Sequence, residues 1–525
     1  MDRILLVFPP IWDLFTPYTS IPTLSAFLKQ KGVSAAVWDA NIELHDQIVS
    51  DAFLQECLAC HEKELSQLKE ESPLYERTLK KISLARLISG QVDEAKRKLR
   101  HACDDRQTML HCKNMLGNMM AVFPGNFEWL RHDQTVNSLE GLRKTMENAR
   151  HYFLYPLMAR QVEERLALFS GDLVGISVAG KNQLVYAFLI AGLIKEKRPE
   201  AKVVMGGAML PYLRDVLVGK EKYLELDFLV VGEGETPLIR LLEVLEQKGD
   251  FSTVPNLVYP DETNRYRCSR LESVEEMDDL PVPDYTVMPL EKYFLQPCRL
   301  SYLTARGCYW NRCVFCSLAC NYGHRYHSRR MDKVMEDIAF LKTKYDLRYL
   351  NFNDECIPPK RFFDLSQKIL ESGIDLKWFA LLRLEEGLTR EHFDTAYRSG
   401  LRMVSYGVES GDQETLDRMR KGTLVGAMSR ILQESHAAGI WNNIFVIANF
   451  PGETHLQETV RFLRENAEAI DSLGYTTFRL ENHSYAYSHP EEFGFELNPV
   501  SDDYFGPVFP YQEKKIGSNA MQSLD

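Results

Sequence analysis

Several things are missing from this 525-residue sequence. No apolar run approaches the ~20 residues that a membrane-spanning helix needs. The most apolar helical stretch, Leu184 to Ile194, is bracketed by Lys181 and Lys195, so no membrane span is expected. The start, Met1-Asp2-Arg3-Ile4-Leu5-Leu6-Val7, carries an acid, runs into Pro9-Pro10 and has no small-residue cleavage site. It does not read as a secretory signal. A surplus of positive charge is missing too. Lys and Arg number 62 against 74 Asp and Glu, a formal net charge of −12, which argues against non-specific binding to a phosphate backbone. No nucleic-acid partner is expected. A disulfide framework is also absent, because the 11 cysteines are an odd count at irregular places. They suit a reducing compartment, and a cytoplasmic location is expected. Nothing repeats at a short fixed period.

What is present is ordinary for a globular protein, with 45% hydrophobic and 26% charged residues. The length allows two or three domains. Ile4 to Phe8 reads as a buried strand, Ile21 to Lys31 as a helix, and Val33 to Trp38 as a second strand. The same grammar returns at Leu173–Val178, Lys202–Met205 and Phe228–Val231, each followed by a helical pattern or a glycine loop. Short buried strands alternating with helices predict an α/β, doubly wound parallel sheet over residues 1–254. Residues 42–170 are rich in Leu, Glu, Lys, Arg, Met and Gln and read as a helical insertion. Residues 255–295, with Pro281-Val282-Pro283, read as a linker. Over 296–485, six strand–helix units starting at Leu300, Tyr349, Lys377, Met403, Asn443 and Thr476 predict a partial or complete βα barrel. Residues 486–525, rich in Pro, Tyr and Asp, read as a loop-like tail or lid.

The most specific chemistry lies in Arg306-Gly307-Cys308-Tyr309-Trp310-Asn311-Arg312-Cys313-Val314-Phe315-Cys316. Three thiolates on one short loop can converge on one metal centre, and Gly307 eases the turn. Iron–sulfur clusters favour such soft ligands, usually four; with three, one iron keeps an open position for a substrate or cofactor. A structural zinc site is the alternative, with Cys320, His324 or His327 as fourth ligand. A different triad of Cys313, Cys316 and Cys320 is another. Cys57 and Cys60 have metal-like spacing but lie in a helical pattern without a second pair, and read as helix residues. Cys356 reads as a packed small residue, with a radical-quenching or substrate-binding thiol as the alternative.

The cysteine loop resembles that of radical S-adenosylmethionine enzymes, which carry three cysteines with an aromatic residue just before the last. Phe315 and the Cys313-to-Cys316 interval match; four residues separate Cys308 from Cys313, where the family usually has three. Four strand ends extend the likeness. The resemblance implies a [4Fe-4S] cluster on Cys308, Cys313 and Cys316. It implies S-adenosylmethionine held by Asp354 and Glu355 through its amino group and by Arg383 through its carboxylate. Glu409 and Ser410, in Tyr406-Gly407-Val408-Glu409-Ser410-Gly411, would reach its ribose or methionine part. The segment Ile447 to Thr454 falls near the expected adenine side.

The amino-terminal half resembles the cobalamin-binding domain found ahead of the barrel in one large branch of this superfamily. The carrying residues include Pro9, Pro10, Ser177, Gly206, Gly207, Gly232, Glu233, Gly234 and Glu235. Glycines admit close backbone approach to a flat cofactor or its tail, and the resemblance implies Ser177 as a hydroxyl partner for that tail. The Asp-x-His-x-x-Gly motif that donates histidine to cobalt is missing; Ile11-Trp12-Asp13-Leu14-Phe15-Thr16 stands there, which implies cobalamin without a histidine ligand. A domain that kept the fold and lost the cofactor is the alternative. Together the resemblances imply an enzyme that generates a 5′-deoxyadenosyl radical and methylates an unactivated carbon of a natural-product or peptide substrate. An external electron donor such as flavodoxin or ferredoxin would serve it. A cobalamin-assisted rearrangement, cyclisation or ring contraction is the second reading, and a non-catalytic corrinoid- or metal-binding sensor the third.

Overall fold

The computed structural model describes residues 2–101, 105–124, 136–323 and 325–513. The chain divides into two compact units, residues 1–275 with 279–301, and residues 276–278 with 302–525. Among the described residues no helix is long and apolar enough to cross a membrane.

The first unit is a seven-stranded sheet. Strands β1 (Ile4–Phe8), β2 (Ala35–Asp39), β3 (Leu173–Ser177), β4 (Lys202–Gly206) and β5 (Phe228–Val230) run parallel in the order β2-β1-β3-β4-β5. Every residue of β1 and β3 is buried, which is why both read as unbroken apolar runs rather than alternating ones. The chain reverses its direction of winding between β1 and β3. In sheets of this order, ligands bind beyond the strand carboxyl ends at such a switch point. Among the described residues, seven α-helices lie between β2 and β3, from Ala40–Ile48 to Tyr155–Leu168.

Residues 255–295 are not a linker. They contribute β6 (Leu257–Pro260) and β7 (Tyr266–Cys268), which extend the sheet antiparallel beside β5. Leu257, Val258 and Tyr266 are fully buried, and the Tyr266 hydroxyl donates to the Leu226 carbonyl at 2.7 Å. Strands this short, set among prolines and charges, leave no periodic signal long enough to read.

The second unit is a six-stranded open sheet in the order β15-β14-β13-β12-β11-β8, a partial βα barrel. Its strands are β8 (Leu300–Tyr302), β11 (Tyr349–Phe352), β12 (Lys377–Leu382), β13 (Leu401–Glu409), β14 (Trp441–Ala448) and β15 (Ser472–Thr477). Two short antiparallel strands, β9 (Ala305–Arg306) and β10 (His327–Ser328), pair and so close the cysteine loop between them. The helix Pro359–Ser372 illustrates why helices separate the strands. Proline opens it, Phe362, Leu365, Ser366 and Ile369 bury one face, and Gly373 ends it at φ +66°. That face meets Trp378 of β12, which also packs edge-on against Phe352.

The segment from residue 486 to 513 is not a loose lid. It forms β16 (Phe495–Leu497) and β17 (Tyr511–Glu513), which pair antiparallel. Ala486, Phe493, Phe495 and Phe509 share one buried cluster with Val314, Met419, Phe450, Phe478 and Leu480. The aromatic content that suggested a loop instead fills a core. Residues 514–525 of the expected tail lie outside the described residues.

Candidate functional site

The cysteine loop leaves β9 through Gly307, whose φ is +81° and whose Cβ position would lie 2.1 Å from the Arg325 carbonyl oxygen. Only glycine fits there, and it lets the two arms of the loop close on each other. Burial pushes the Cys316 thiol up to about 12, and Cys313 and Cys308 act in the same direction, so the three sulfurs share one electrostatic neighbourhood. Burial also raises the Cys313 thiol, while the charges of Lys421 and Arg383 favour its thiolate. Among the described residues no three His, Cys, Asp or Glu side chains are gathered at metal-binding distance. A shared loop with adjacent cations is nonetheless a donor set that fits a thiolate-ligated cluster. For the zinc alternative, Cys320 lies in the short helix Ala319–Tyr322 and His327 in β10; His324 lies outside the described residues.

Beside Cys316 a cavity of about 390 Å³ is lined by Phe315, Asn321, Glu355, Ile447, Thr476 and Glu481, among others. It joins the cysteine loop to the carboxyl ends of β11, β14 and β15. Glu355 is exposed and opens into this space. Its neighbour Asp354 does not. The Asp354 carboxylate is buried and accepts from the main-chain N–H groups of Thr304 and Ala305 at 2.6 and 2.9 Å, and from the Thr304 hydroxyl. Its oxygens are spent on the turn that launches the cysteine loop, and burial pushes its carboxyl up to about 6.

Arg383 meets a carboxylate of this chain, Glu385, at 2.6 Å. Its guanidinium lies 4.4 Å from the centroid of the Trp310 ring and 3.9 Å from the Cys313 sulfur. Glu409 stands where β13 bulges against β14 and adopts a left-handed φ of +62°. The bulge turns its carboxylate toward Lys421, whose ammonium lies 2.8 Å away. A left-handed backbone at a non-glycine residue is strained and persists only where the surrounding packing holds it. Ser410 serves the following turn, sharing a hydrogen bond with the Thr459 hydroxyl at 3.0 Å and accepting from the Asp412 N–H at 3.1 Å. Cys356 is buried and donates to the Tyr309 hydroxyl at 3.8 Å, and Tyr309 donates to Glu385 at 2.9 Å.

In the first unit the expected residues gather at the strand carboxyl ends but differ in what they offer. The Pro9 carbonyl accepts from the Gln183 amide at 2.6 Å, and Pro10 follows it into the loop after β1. The Ser177 hydroxyl donates to Ser20 at 2.8 Å. The Glu233 carboxylate accepts from Ser273 and Val274, and Glu235 is buried and accepts from the Gly234 N–H. A Cβ on Gly206 or Gly234 would make only ordinary contacts, none nearer than 3.7 Å, so packing within the unit does not require glycine at either position. Gly207 differs: its φ is +119° and a Cβ would fall 2.3 Å from the Val178 carbonyl oxygen. Gly232 has φ +79°. Where a cobalt-ligating histidine motif would stand, Trp12 packs with Phe8 and Tyr18, and its ring occupies the space against Gly180.

Comparison with known proteins decides the family of the second unit. The profile of the Radical SAM superfamily matches residues 302–463. Residues 302–463 form a radical SAM domain. Among curated relatives, it is 25% identical over 302 residues to an uncharacterised methyltransferase of Pyrococcus horikoshii, covering 57% of this chain and 65% of the relative. To a hopanoid C-3 methylase of Methylococcus capsulatus it is 27% identical over 277 residues, 52% of each chain. It therefore spans between half and two thirds of these relatives. Among solved structures, the cobalamin-dependent S-adenosylmethionine radical enzyme OxsB, with aqua-cobalamin and S-adenosylmethionine bound, aligns at a TM-score of 0.63 and 16% identity, covering 98% of this chain and 64% of OxsB. The radical S-adenosylmethionine methyltransferase TsrM of Kitasatospora setae, with cobalamin and a [4Fe-4S] cluster, aligns at 0.58 and 19%, covering 95% and 81%. At these identities the likeness establishes the fold, a Rossmann-like domain with a radical SAM partial barrel. Sequence reasoning missed Lys421, Trp310, Tyr309 and Gln183 as supports of these sites. The only signal available was the Lys421-Gly422 step after a helix.

Proposed function

We propose that the protein is a cobalamin-dependent radical S-adenosylmethionine C-methyltransferase acting on an unactivated carbon of a small molecule or peptide. The observation that carries this reading is the loop of Cys308, Cys313 and Cys316 opening, within a radical SAM domain, onto a cavity at the strand carboxyl ends. Relatives described as methylases and methyltransferases support it. When bound, the cluster would supply the electron that cleaves S-adenosylmethionine to a hydrogen-abstracting radical, and cobalamin would supply the methyl group. The residues of this chain bind and orient. The three thiols hold the cluster, and Glu355, Arg383 and Glu409 face S-adenosylmethionine. The backbone at Gly206 and Gly234 would take the corrinoid, and the segment of Trp12 stands in place of the histidine motif. A cytoplasmic location and a one-electron donor of the flavodoxin or ferredoxin class belong to the same reading.

The test is anaerobic reconstitution with iron, sulfide and cobalamin, followed by incubation with candidate substrates and mass spectrometry. Formation of 5′-deoxyadenosine with a product heavier by one methyl group is expected. A product of unchanged carbon count would replace methylation by rearrangement or cyclisation. Zinc in place of iron after strictly anaerobic preparation would end the reading.

A further inference from the structure

Just after the helix Gln413–Arg418 the chain turns at Arg420, whose φ is +52°. Three successive carbonyls there accept hydrogen bonds. Met419 accepts from the Val314 N–H at 3.0 Å, Arg420 from the Trp310 indole at 2.9 Å, and Lys421 from the Arg383 guanidinium. Two of these donors belong to the cysteine loop. Trp310 lies between Cys308 and Cys313, and Val314 between Cys313 and Cys316, so both intervals of the motif are tied to one segment. Gly422 follows with φ +68°, and a Cβ there would lie 2.1 Å from Cζ2 of Trp310. The indole rests on bare backbone. The Lys421 side chain is only 8% exposed, yet it carries its charge inside the unit, paired with Glu409.

We propose that Met419–Gly422 is a brace that sets the cysteine loop before metal arrives, and that Lys421 is a positioning residue that places a second buried cation, with Arg383, beside the ligand Cys313. The proposal rests on the reading of Cys308, Cys313 and Cys316 as cluster ligands. A loop already tied to main-chain carbonyls through the Val314 N–H and the Trp310 indole surrenders little conformational freedom on binding, so affinity rises. A buried cation near a thiolate-ligated centre favours its more negative, reduced state. Groups behind the ligands typically change metal affinity about 10–100-fold when removed.

The experiment compares full-length, anaerobically reconstituted wild type with Gly422→Ala, Lys421→Met and Lys421→Arg. It measures iron content, the rate of iron loss to a chelator, and the reduction midpoint by paramagnetic resonance. Gly422→Ala should lose iron about tenfold faster than wild type. Lys421→Met should hold iron but show about a tenfold lower reduced-to-oxidised ratio at a fixed potential, about 59 mV for one electron, and Lys421→Arg should restore it. If Gly422→Ala does not fold, the midpoints of the two Lys421 variants decide. Wild-type iron retention and midpoint in every variant overturn the brace alone. A wild-type protein that assembles no iron–sulfur cluster removes the ligand reading and the brace together.

Discussion

A Cβ on Gly407 would lie 2.3 Å from Oε1 of Glu409. The missing side chain is what lets the Glu409–Lys421 pair lie over β13, since the same Cβ would stand 2.7 Å from the Lys421 ammonium. Breaking a buried pair from one side leaves an uncompensated charge, so Lys421→Met should cost about 3–5 kcal/mol. Glu409→Gln combined with Lys421→Met should cost clearly less than the two single changes added together. Denaturant unfolding of the four proteins reads the coupling. Simple additivity would mean that the pair does not interact.

Asp354 predicts a pH dependence. Its carboxyl stands at about 6 in the folded protein against 3.8 ordinarily, raised by burial. A folded value above the unfolded one gives a stabilising contribution that is complete below about pH 4 and is lost as pH rises through about 6. Relative to Asp354→Asn, wild type should therefore lose about 2–2.5 kcal/mol between pH 4 and pH 7. Asp354→Ala, which strands the Thr304 and Ala305 donors, should destabilise throughout by roughly 2–4 kcal/mol. Unfolding midpoints measured across this range check both, and a flat difference between wild type and Asp354→Asn would remove the assignment.

Single replacement of Cys308, Cys313 or Cys316 by Ala should abolish cluster absorbance and iron binding. Cys57→Ala and Cys60→Ala should leave both intact, because the two lie on the helix Asp51–Leu65, outside the cysteine loop, and Cys57 is packed on its buried face. Iron analysis after gel filtration distinguishes the two groups. Iron loss in Cys57→Ala would contradict the division.

The adjacent glycines of the first unit should behave differently. Gly207→Ala forces a side chain into a left-handed backbone and onto the Val178 carbonyl, and should lower stability by roughly 2–4 kcal/mol. At Gly206 the nearest atom to a Cβ is 3.8 Å away. Gly206→Val should fold normally and lose corrinoid binding instead. Thermal unfolding with an absorbance titration of added cobalamin reads both, and tight binding by Gly206→Val would move the corrinoid elsewhere.

The parallel strands were legible because burial on both faces writes unbroken apolar runs, as in Ile4–Phe8 and Leu173–Ser177. The cysteine loop was legible because all three thiols lie close in sequence. What composition hid was long-range partnership. Nothing local distinguishes Asp354, whose oxygens face the Thr304 turn, from Glu355, which faces the cavity. Alternation along the chain separates their directions, but which direction holds the cavity depends on the other strands. Residues 255–295 were misread because β6 and β7 are only four and three residues long. Lys421 was missed because a lysine after a helix normally points to solvent.

The cluster of Val314 with Phe493, Phe495 and Phe509 has a consequence for biosynthesis. Val314 leaves the ribosome long before the aromatic residues that cover it, and its carbonyl accepts from the Ala486 N–H at 2.8 Å only once that later stretch exists. Until those residues are made, the Val314 side of the thiol loop lacks the aromatic cover it has in the finished fold. With the three thiols as cluster ligands, a nascent chain arrested before residue 509 should be a poorer acceptor of iron than the finished protein.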